Sequence, residues 1–355
     1  MKSLPDSGGS LSREAIAELL GPISPERVAG LFSRARQVRR EISGRKIFLR
    51  GIIEISNYCG KDCFYCGIRR SNREVSRYRM KEREVLSTAR SAFRHGYTSV
   101  LLQSGEESSS DFINWVERLT RQIKQETEGR MRIVLSLGEQ EPETYRRWRE
   151  AGADRYLLRI ETSNRDLYRS LHPPDHLAEK RLECLQALNR LGYQVGSGML
   201  IGLPGQTPQD LADDALWLKE IAVDMIGMGP YIPHPLTPLA SRAGIKSPAE
   251  RLQLGLKMIA VCRIIMPEVN IAATTALGVL DPAGWEMGIR AGANVVMPNL
   301  TPPDYRQDYN LYQGKPAEKD GIRGLDALRR RIAADGDELV SEEWGDSLHF
   351  RRRIG

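Results

Sequence analysis

The sequence predicts an α/β protein, a single (βα)8 TIM-type barrel with an N-terminal helical extension. Three observations predict it. Apolar, β-branched runs alternate with stretches of helical period along most of the 355 residues, the pattern of parallel βαβ units. Eight such runs occur, nearly continuous in apolar character, as expected of strands covered on both faces. No shift in composition divides them, so one closed barrel is expected in place of two open sheets.

The elements follow in order. SLSREAIAELLG offers a serine N-cap, a glutamate just inside and a terminating Gly21, and SPERVAGLFSRARQVRREISG starts at Ser24-Pro25 and stops at Gly44. Both read as helices. The expected strands are 47–56, 98–104, 131–138, 154–161, 193–202, 223–230, 269–275 and 293–298. Between them lie helical stretches, several ending in glycine (Gly96, Gly152, Gly192, Gly292) just before the next strand, as helix C-terminal caps do. The expected division is 1–45 for the helical extension, 46–300 for the barrel and 301–355 for a C-terminal capping segment.

The net charge of +6 is carried mainly by arginine, but acidic residues interleave it nearly everywhere and the compact basic run is only Arg351–Arg353. Solvated helix faces explain this better than a nucleic-acid surface. No stretch approaches the ~18 apolar residues of a membrane span, and the N-terminus lacks the apolar core of a signal peptide. Five cysteines, three of them crowded, do not suit a secreted disulfide framework. A cytoplasmic protein that binds neither membrane nor nucleic acid is expected.

The crowded thiols are Cys59, Cys63 and Cys66, in the loop NYCGKDCFYCGIRRSN directly after the first strand. In a barrel of this type, chemistry sits on the loops after the strand ends. A structural zinc needs a fourth nearby ligand, and the nearest candidate is His95, inside a helical stretch. A redox pair would leave Cys59 unexplained, and three unrelated thiols are the plainest alternative. A cubane iron–sulfur cluster, with one ligand per iron, would be left with one iron open to a small molecule. The spacing and its placement favour the cluster.

Other residues stand where a barrel mouth would be. Glu106 follows the second strand in LLQSGEE, where a solvated turn carboxylate is the bland reading. Arg159 and Glu161 are two apart on the fourth expected strand, hence on one face, and they either enter the mouth or pair with each other. The planar fork of Arg159 suits a carboxylate. Arg181 lies in the following helix, as a ligand residue or a surface arginine. The glycines of GMLIGLPGQT allow close backbone approach, and no Gly-Lys-Ser/Thr makes them a phosphate loop.

C-x3-C-x2-C with Tyr65 before the last cysteine resembles the signature of radical S-adenosylmethionine (SAM) enzymes. The resemblance implies one [4Fe-4S] cluster on Cys59, Cys63 and Cys66, whose open iron binds SAM, and reductive cleavage of SAM to a 5′-deoxyadenosyl radical. It implies a methionyl-ammonium role for Glu106 and a cofactor-binding role for Tyr65. The segments IIEISNYCGKDCFYCGIRRSN, RYRM, VLLQSGEE, LSLGE, AGADRYLLRIETSN, GMLIGLPGQT, GMGPYIPHPLTPLA, NIAATTALG and AGANVVMPNLTPPDYRQDYNLYQGKP, spanning roughly residues 45–316, are more specific. They resemble the HydE family of [FeFe]-hydrogenase maturases, related to biotin synthase and methylornithine synthase.

That resemblance implies action on an iron complex carrying cysteine, carbon monoxide and cyanide, with partner maturases and a one-electron donor. Arg159, Glu161 and Arg181 match the family's SAM pocket. Ser136 matches a further cofactor-side position, and Met225, Thr274, Thr275, Met297 and Tyr305 match cavity-lining ones. Core packing is the bland reading for the two methionines, and a strand end for the two threonines. No residue is assigned a catalytic role. Nothing beyond Cys262 is a cysteine, so the second cluster of some relatives is not expected. Ile160 stands where some relatives carry a histidine, which removes a proton-transfer role there. Cys184 and Cys262 read as buried, inert thiols. His234, in the Pro-rich PYIPHPLTP, is open to ligand contact or loop structure. Two rivals remain: an amino-acid mutase of the methylornithine synthase type with the same cluster, and a non-catalytic iron–sulfur or zinc scaffold.

Overall fold

Ser12 and Ser24 start two helices, Arg13–Leu20 and Pro25–Ser43, by accepting the backbone N–H groups of Ala15 and Arg27. Such caps are each worth about 1 kcal/mol. This computed structural model describes residues 11–312, 314, 321–341 and 343–355. The first helix packs on helix Pro208–Glu220 and the second on helix Pro248–Ile265.

After them comes a curled parallel sheet. Its strands begin with β1 (Lys46–Leu49), β2 (Gly51–Ser56), β3 (Ser99–Ser104), β4 (Arg132–Ser136), β5 (Arg155–Leu157) and β6 (Gln194–Ser197). They continue with β7 (Leu200–Ile201), β8 (Met225–Ile226), β9 (Gly229–Pro230), β10 (Asn270–Ala273), β11 (Val295–Val296) and β12 (Glu338–Val340). Ten form one sheet in the order β12-β1-β11-β10-β8-β6-β5-β4-β3-β2, and β7 pairs with β9 apart from it. Ile52 of β2 donates its N–H to Pro298 O (2.9 Å) and accepts from Leu300 N (2.7 Å), so the sheet's start meets the segment after β11.

All eight expected strands are shorter than their apolar runs, and four of them change most. The run 47–56 divides at Arg50, and 154–161 ends at Leu157. The runs 193–202 and 223–230 each split, giving β6 with β7 and β8 with β9. Their glycines explain the split. A Cβ on Gly198 would lie 2.1 Å from Gly227 O, so the two backbones touch where no side chain fits, and the ladder resumes beyond as a separate pair.

The chain's C-terminal part reaches both ends of the sheet. β12 pairs with β1 at Lys46–Phe48, where that strand begins. Buried Arg155 donates to Trp344 O (2.5 Å) and Asp346 Oδ1 (2.7 Å) at the same end. Asp337, also buried, accepts from Arg39 (2.8 Å) and Arg40 (3.1 Å) and ties helix Pro25–Ser43 to this region. Tyr309, Leu311 and Tyr312 lie at the opposite end, around the cavity described below. Among the described residues no helix is long and apolar enough to cross a membrane.

Candidate active site

The cysteine loop follows β2 and is fastened on several sides. Gly60 N donates to Glu106 O (2.7 Å), and Glu106 N approaches Cys59 Sγ at 3.4 Å, joining the loops after β2 and β3. Phe64 N donates to Leu171 O (2.8 Å), and Gly67 N to Leu311 O (2.9 Å). Arg77 donates to three carbonyls of the loop region, Asn57, Ile68 and Arg69, at 2.6–2.8 Å. Backbone groups that no ladder could pair are thus satisfied, and the loop is held in one shape.

All three thiols line one cavity of about 300 Å³ at the C-terminal strand ends, and none is in a disulfide. Burial pushes each thiol up from its ordinary pKa, Cys63 to about 12. Left to themselves, these sulfurs would stay protonated. Among the described residues no three His, Cys, Asp or Glu converge as ligands of a single ion do. Three sulfurs on one cavity match a cubane iron–sulfur group with one thiolate on each of three irons and the fourth iron open to a ligand.

Tyr65, Glu106, Ser136, Arg159, Glu161, Arg181, Thr274, Thr275 and Met297 line the same cavity. Arg159 and Glu161 pair with each other at the cavity wall. Arg159 Nη2 donates to Glu161 Oε2 at 2.7 Å, and both face the cavity. They do so beyond the strand, because β5 ends at Leu157 and Glu161 has φ +68°. The expected shared strand face is therefore not what joins them. The Glu161 turn is held by Leu200 N on Glu161 O (3.1 Å) and Glu161 N on Gly198 O (3.1 Å).

Arg181 is not a surface residue. It is buried, with Nε on Glu139 Oε1 (2.8 Å) and Nη1 on Arg159 O (2.8 Å). Lys61 Nζ bridges Glu139 Oε2 (2.9 Å) and Glu106 Oε1 (3.3 Å), and Glu139 N donates to Glu106 Oε2 (2.8 Å). Burial pushes the Glu106 carboxyl up, and the Glu139 charge adds to this. Burial acts on Glu139 too, but Arg181 and Lys61 outweigh it and hold that carboxyl below its usual range.

Two expected cavity residues are corrected. Met225 is buried one layer beneath the cavity, packed with Leu101 and Val134, with its sulfur 3.1 Å from Arg50 Nη1. Lying on short β8, it points into the sheet's interior below the strand ends. Tyr305 stands outside, on the turn Pro303–Arg306, where its hydroxyl donates to Glu84 (2.7 Å) and its ring packs on Tyr78. His234 lies against Gly67, where a Cβ would come within 2.6 Å of its ring, and serves the loop. Cys184 and Cys262 are buried away from the cavity.

Several residues escaped the sequence reading. Lys61 sits inside the cysteine motif and Glu139 ends LSLGE, so a charge directly after a strand was the available signal. Glu54, on β2, lines the cavity and accepts from Asn299 Nδ2 (3.0 Å). His172 approaches Tyr65 from behind, and no local pattern marks it.

Comparison with known proteins agrees with this arrangement. The sequence profile described as Radical SAM superfamily matches residues 53–218. The [FeFe] hydrogenase maturase subunit HydE of Thermotoga maritima is 46% identical over 304 residues, covering 86% of this chain and 84% of that protein. The chain belongs to the HydE family of radical SAM enzymes. The HydE family's relatives extend further: 3-methylornithine synthase of Methanosarcina barkeri is 29% identical over 93% of this chain and 90% of its own length. A solved structure of methylornithine synthase (PylB) superposes with a TM-score of 0.81 at 25% identity, covering 94% of this chain and 96% of that one. Membership of the HydE family brings a [4Fe-4S] cluster and SAM, and the three-thiol donor set of the cavity fits that cluster.

Proposed function

We propose that this chain performs the radical SAM step of [FeFe]-hydrogenase maturation, acting on an iron precursor that carries cysteine, carbon monoxide and cyanide. One observation carries the proposal. The three thiols of a single loop share a cavity with Arg159, Glu161, Arg181 and Glu106, a grouping a mere thiol scaffold has no use for. Cys59, Cys63 and Cys66 would hold the cluster. When bound and reduced, it supplies the electron that splits the sulfonium of SAM into methionine and a 5′-deoxyadenosyl radical.

The chain's own residues bind and orient. Arg159 and Arg181 are held in place by Glu161 and Glu139, and their forks suit a carboxylate. Glu106 offers a carboxylate beside Cys59 for the methionyl ammonium. Tyr65, Ser136 and Glu161 complete the SAM side, and Thr274, Thr275 and Met297 the far side toward the substrate. We read the curled sheet as a closed (βα)8 barrel divided from its flanks at 45 and 300, supported by the bonds between Ile52 and the 298–300 segment. Such a wall keeps water and stray reductant from a radical. Partner maturases and a one-electron donor complete the reading, supported by the maturase name of the Thermotoga relative.

Glu54 favours a second reading. It places a carboxylate on the cavity wall, as an amino-acid mutase of the methylornithine synthase type needs for a lysine ammonium. One experiment separates the two. Anaerobically reconstituted protein receives SAM and dithionite with either the iron complex or lysine, and products are read by mass spectrometry. An adenosylated cysteine product establishes the maturase, and methylornithine the mutase. Cluster-loaded protein that forms neither product and releases no deoxyadenosine in either tube overturns both.

A further inference from the structure

We propose that His172 is a positioning residue for SAM binding, acting through Tyr65: it offers the Tyr65 hydroxyl an acceptor and so leaves Glu161 Oε1 available to SAM. This rests on the SAM-binding reading above.

The Tyr65 hydroxyl lies 3.4 Å from Glu161 Oε1 and 3.4 Å from His172 Nε2. A hydroxyl has one proton to donate, so the two acceptors compete for it. Glu161 Oε2 is already committed to Arg159, which makes Oε1 the oxygen with capacity to spare. An oxygen that accepts the tyrosine proton is a poorer acceptor for a ligand.

The geometry settles which acceptor His172 can be. Its Nδ1 is 2.9 Å from Tyr168 O, and a carbonyl only accepts, so Nδ1 carries the hydrogen. In a neutral ring Nε2 is then left as an acceptor aimed at Tyr65. Burial keeps the ring neutral, pushing its pKa down to about 3. The imidazole cannot swing away. It stacks on Tyr168 (4.1 Å between ring centres, 28° between planes) and meets Tyr65 edge-on (5.5 Å, 88°).

Tyr65 is held in the same way. Its ring packs with Leu171, Leu203, Tyr231 and Leu239, so the hydroxyl proton can turn while the ring stays. Phe64 N on Leu171 O (2.8 Å) ties the cysteine loop to the residue preceding His172. The loop that carries Cys63 and Cys66 and the segment that carries His172 are thus one mechanical unit.

The test is a double-mutant cycle read by binding. His172→Leu, His172→Gln, Tyr65→Phe and Tyr65→Phe/His172→Leu are reconstituted, and SAM is titrated against the reduced cluster while its paramagnetic resonance spectrum is followed. His172→Leu should weaken SAM binding by roughly three- to tenfold, the effect of one hydrogen bond. His172→Gln, which keeps an acceptor near the Nε2 position, should restore affinity to within about twofold of wild type. In the Tyr65→Phe background, His172→Leu should add nothing. An unchanged affinity in His172→Leu overturns the proposal. An equal loss with and without the Tyr65 hydroxyl overturns it too, since His172 would then act by packing alone. Wild-type protein that holds its cluster but shows no spectral response to SAM overturns the functional reading, and this proposal with it.

Discussion

Gly105 and Cys59 touch so closely that a Cβ on Gly105 would stand 2.7 Å from the Cβ of Cys59 and 2.2 Å from Tyr58 O. The φ of Gly105 is not the reason for glycine there. The reason is space, because the loops after β2 and β3 are pressed together by the Gly60–Glu106 and Glu106–Cys59 contacts. Gly105→Ala must push Cys59 outward, with an overpacking cost of about 1–3 kcal/mol. Iron content after reconstitution should fall by well over half, with loss of the brown cluster absorbance, while far-ultraviolet circular dichroism stays native.

Glu139 faces two cations, Arg181 at 2.8 Å and Lys61 at 2.9 Å, with little solvent access. Glu139→Gln leaves the buried Arg181 without its carboxylate, and breaking such a pair costs roughly 3 kcal/mol. Arg181 and Lys61 hold the Glu139 carboxyl below its usual range despite burial. Its stabilisation is therefore present above the unfolded carboxylate range and is lost as pH falls through the folded value. Urea midpoints at pH 7 should drop in Glu139→Gln, and the gap to wild type should narrow on acidification.

Asp214 behaves with the opposite sign. Burial pushes its carboxyl up to about 7, although Ser163 N, Ser163 Oγ and Thr162 Oγ1 all donate to Oδ1. Its Oδ2 is buried and meets no donor. Because the folded pKa is raised, the favourable contribution is complete below the ordinary carboxylate range and is lost as pH rises through about 7. Asp214→Asn keeps an acceptor for Ser163 and removes the titration. Relative to wild type, it should gain about 1 kcal/mol between pH 6 and pH 8.5 in urea unfolding, and more when the comparison starts nearer pH 5.

The five thiols should divide cleanly by place. Cys184 and Cys262 are buried apart from the cavity that Cys59, Cys63 and Cys66 share. Cys184→Ala and Cys262→Ala should keep the full iron content and cost only about 1–2 kcal/mol of packing. Cys59→Ala, Cys63→Ala and Cys66→Ala should each bring bound iron to background after anaerobic reconstitution. Iron retained by any one of these three would remove that thiol from the cluster.

The expected helices and strands were legible because alternation of apolar runs with helical periods is a local signal, and so are serine caps such as Ser12 and Ser24. Arg50, Gly198 and Gly227 were not legible as breaks. The two glycines interrupt their strands because the Gly227 carbonyl lies against Gly198, and at Arg50 the chain passes from pairing with β11 to pairing with β3. The site divides in the same way. Cysteine spacing is written within eight residues, so Cys59, Cys63 and Cys66 could be read directly. Glu139 gains its meaning only from Arg181, 42 positions on, and His172 only from Tyr65, 107 positions back.

By itself, the sequence determined the α/β alternation, the three-thiol loop after the first strand and the likeness to radical SAM enzymes, since each depends on residues near one another in the chain. Only the tertiary structure decided that Met225 lies beneath the cavity and Tyr305 outside it, that Arg181 is buried against Glu139, and that Glu161 reaches Arg159 from a turn. Those outcomes depend on which strand ends meet and how far each side chain reaches, and the curl of the sheet sets both.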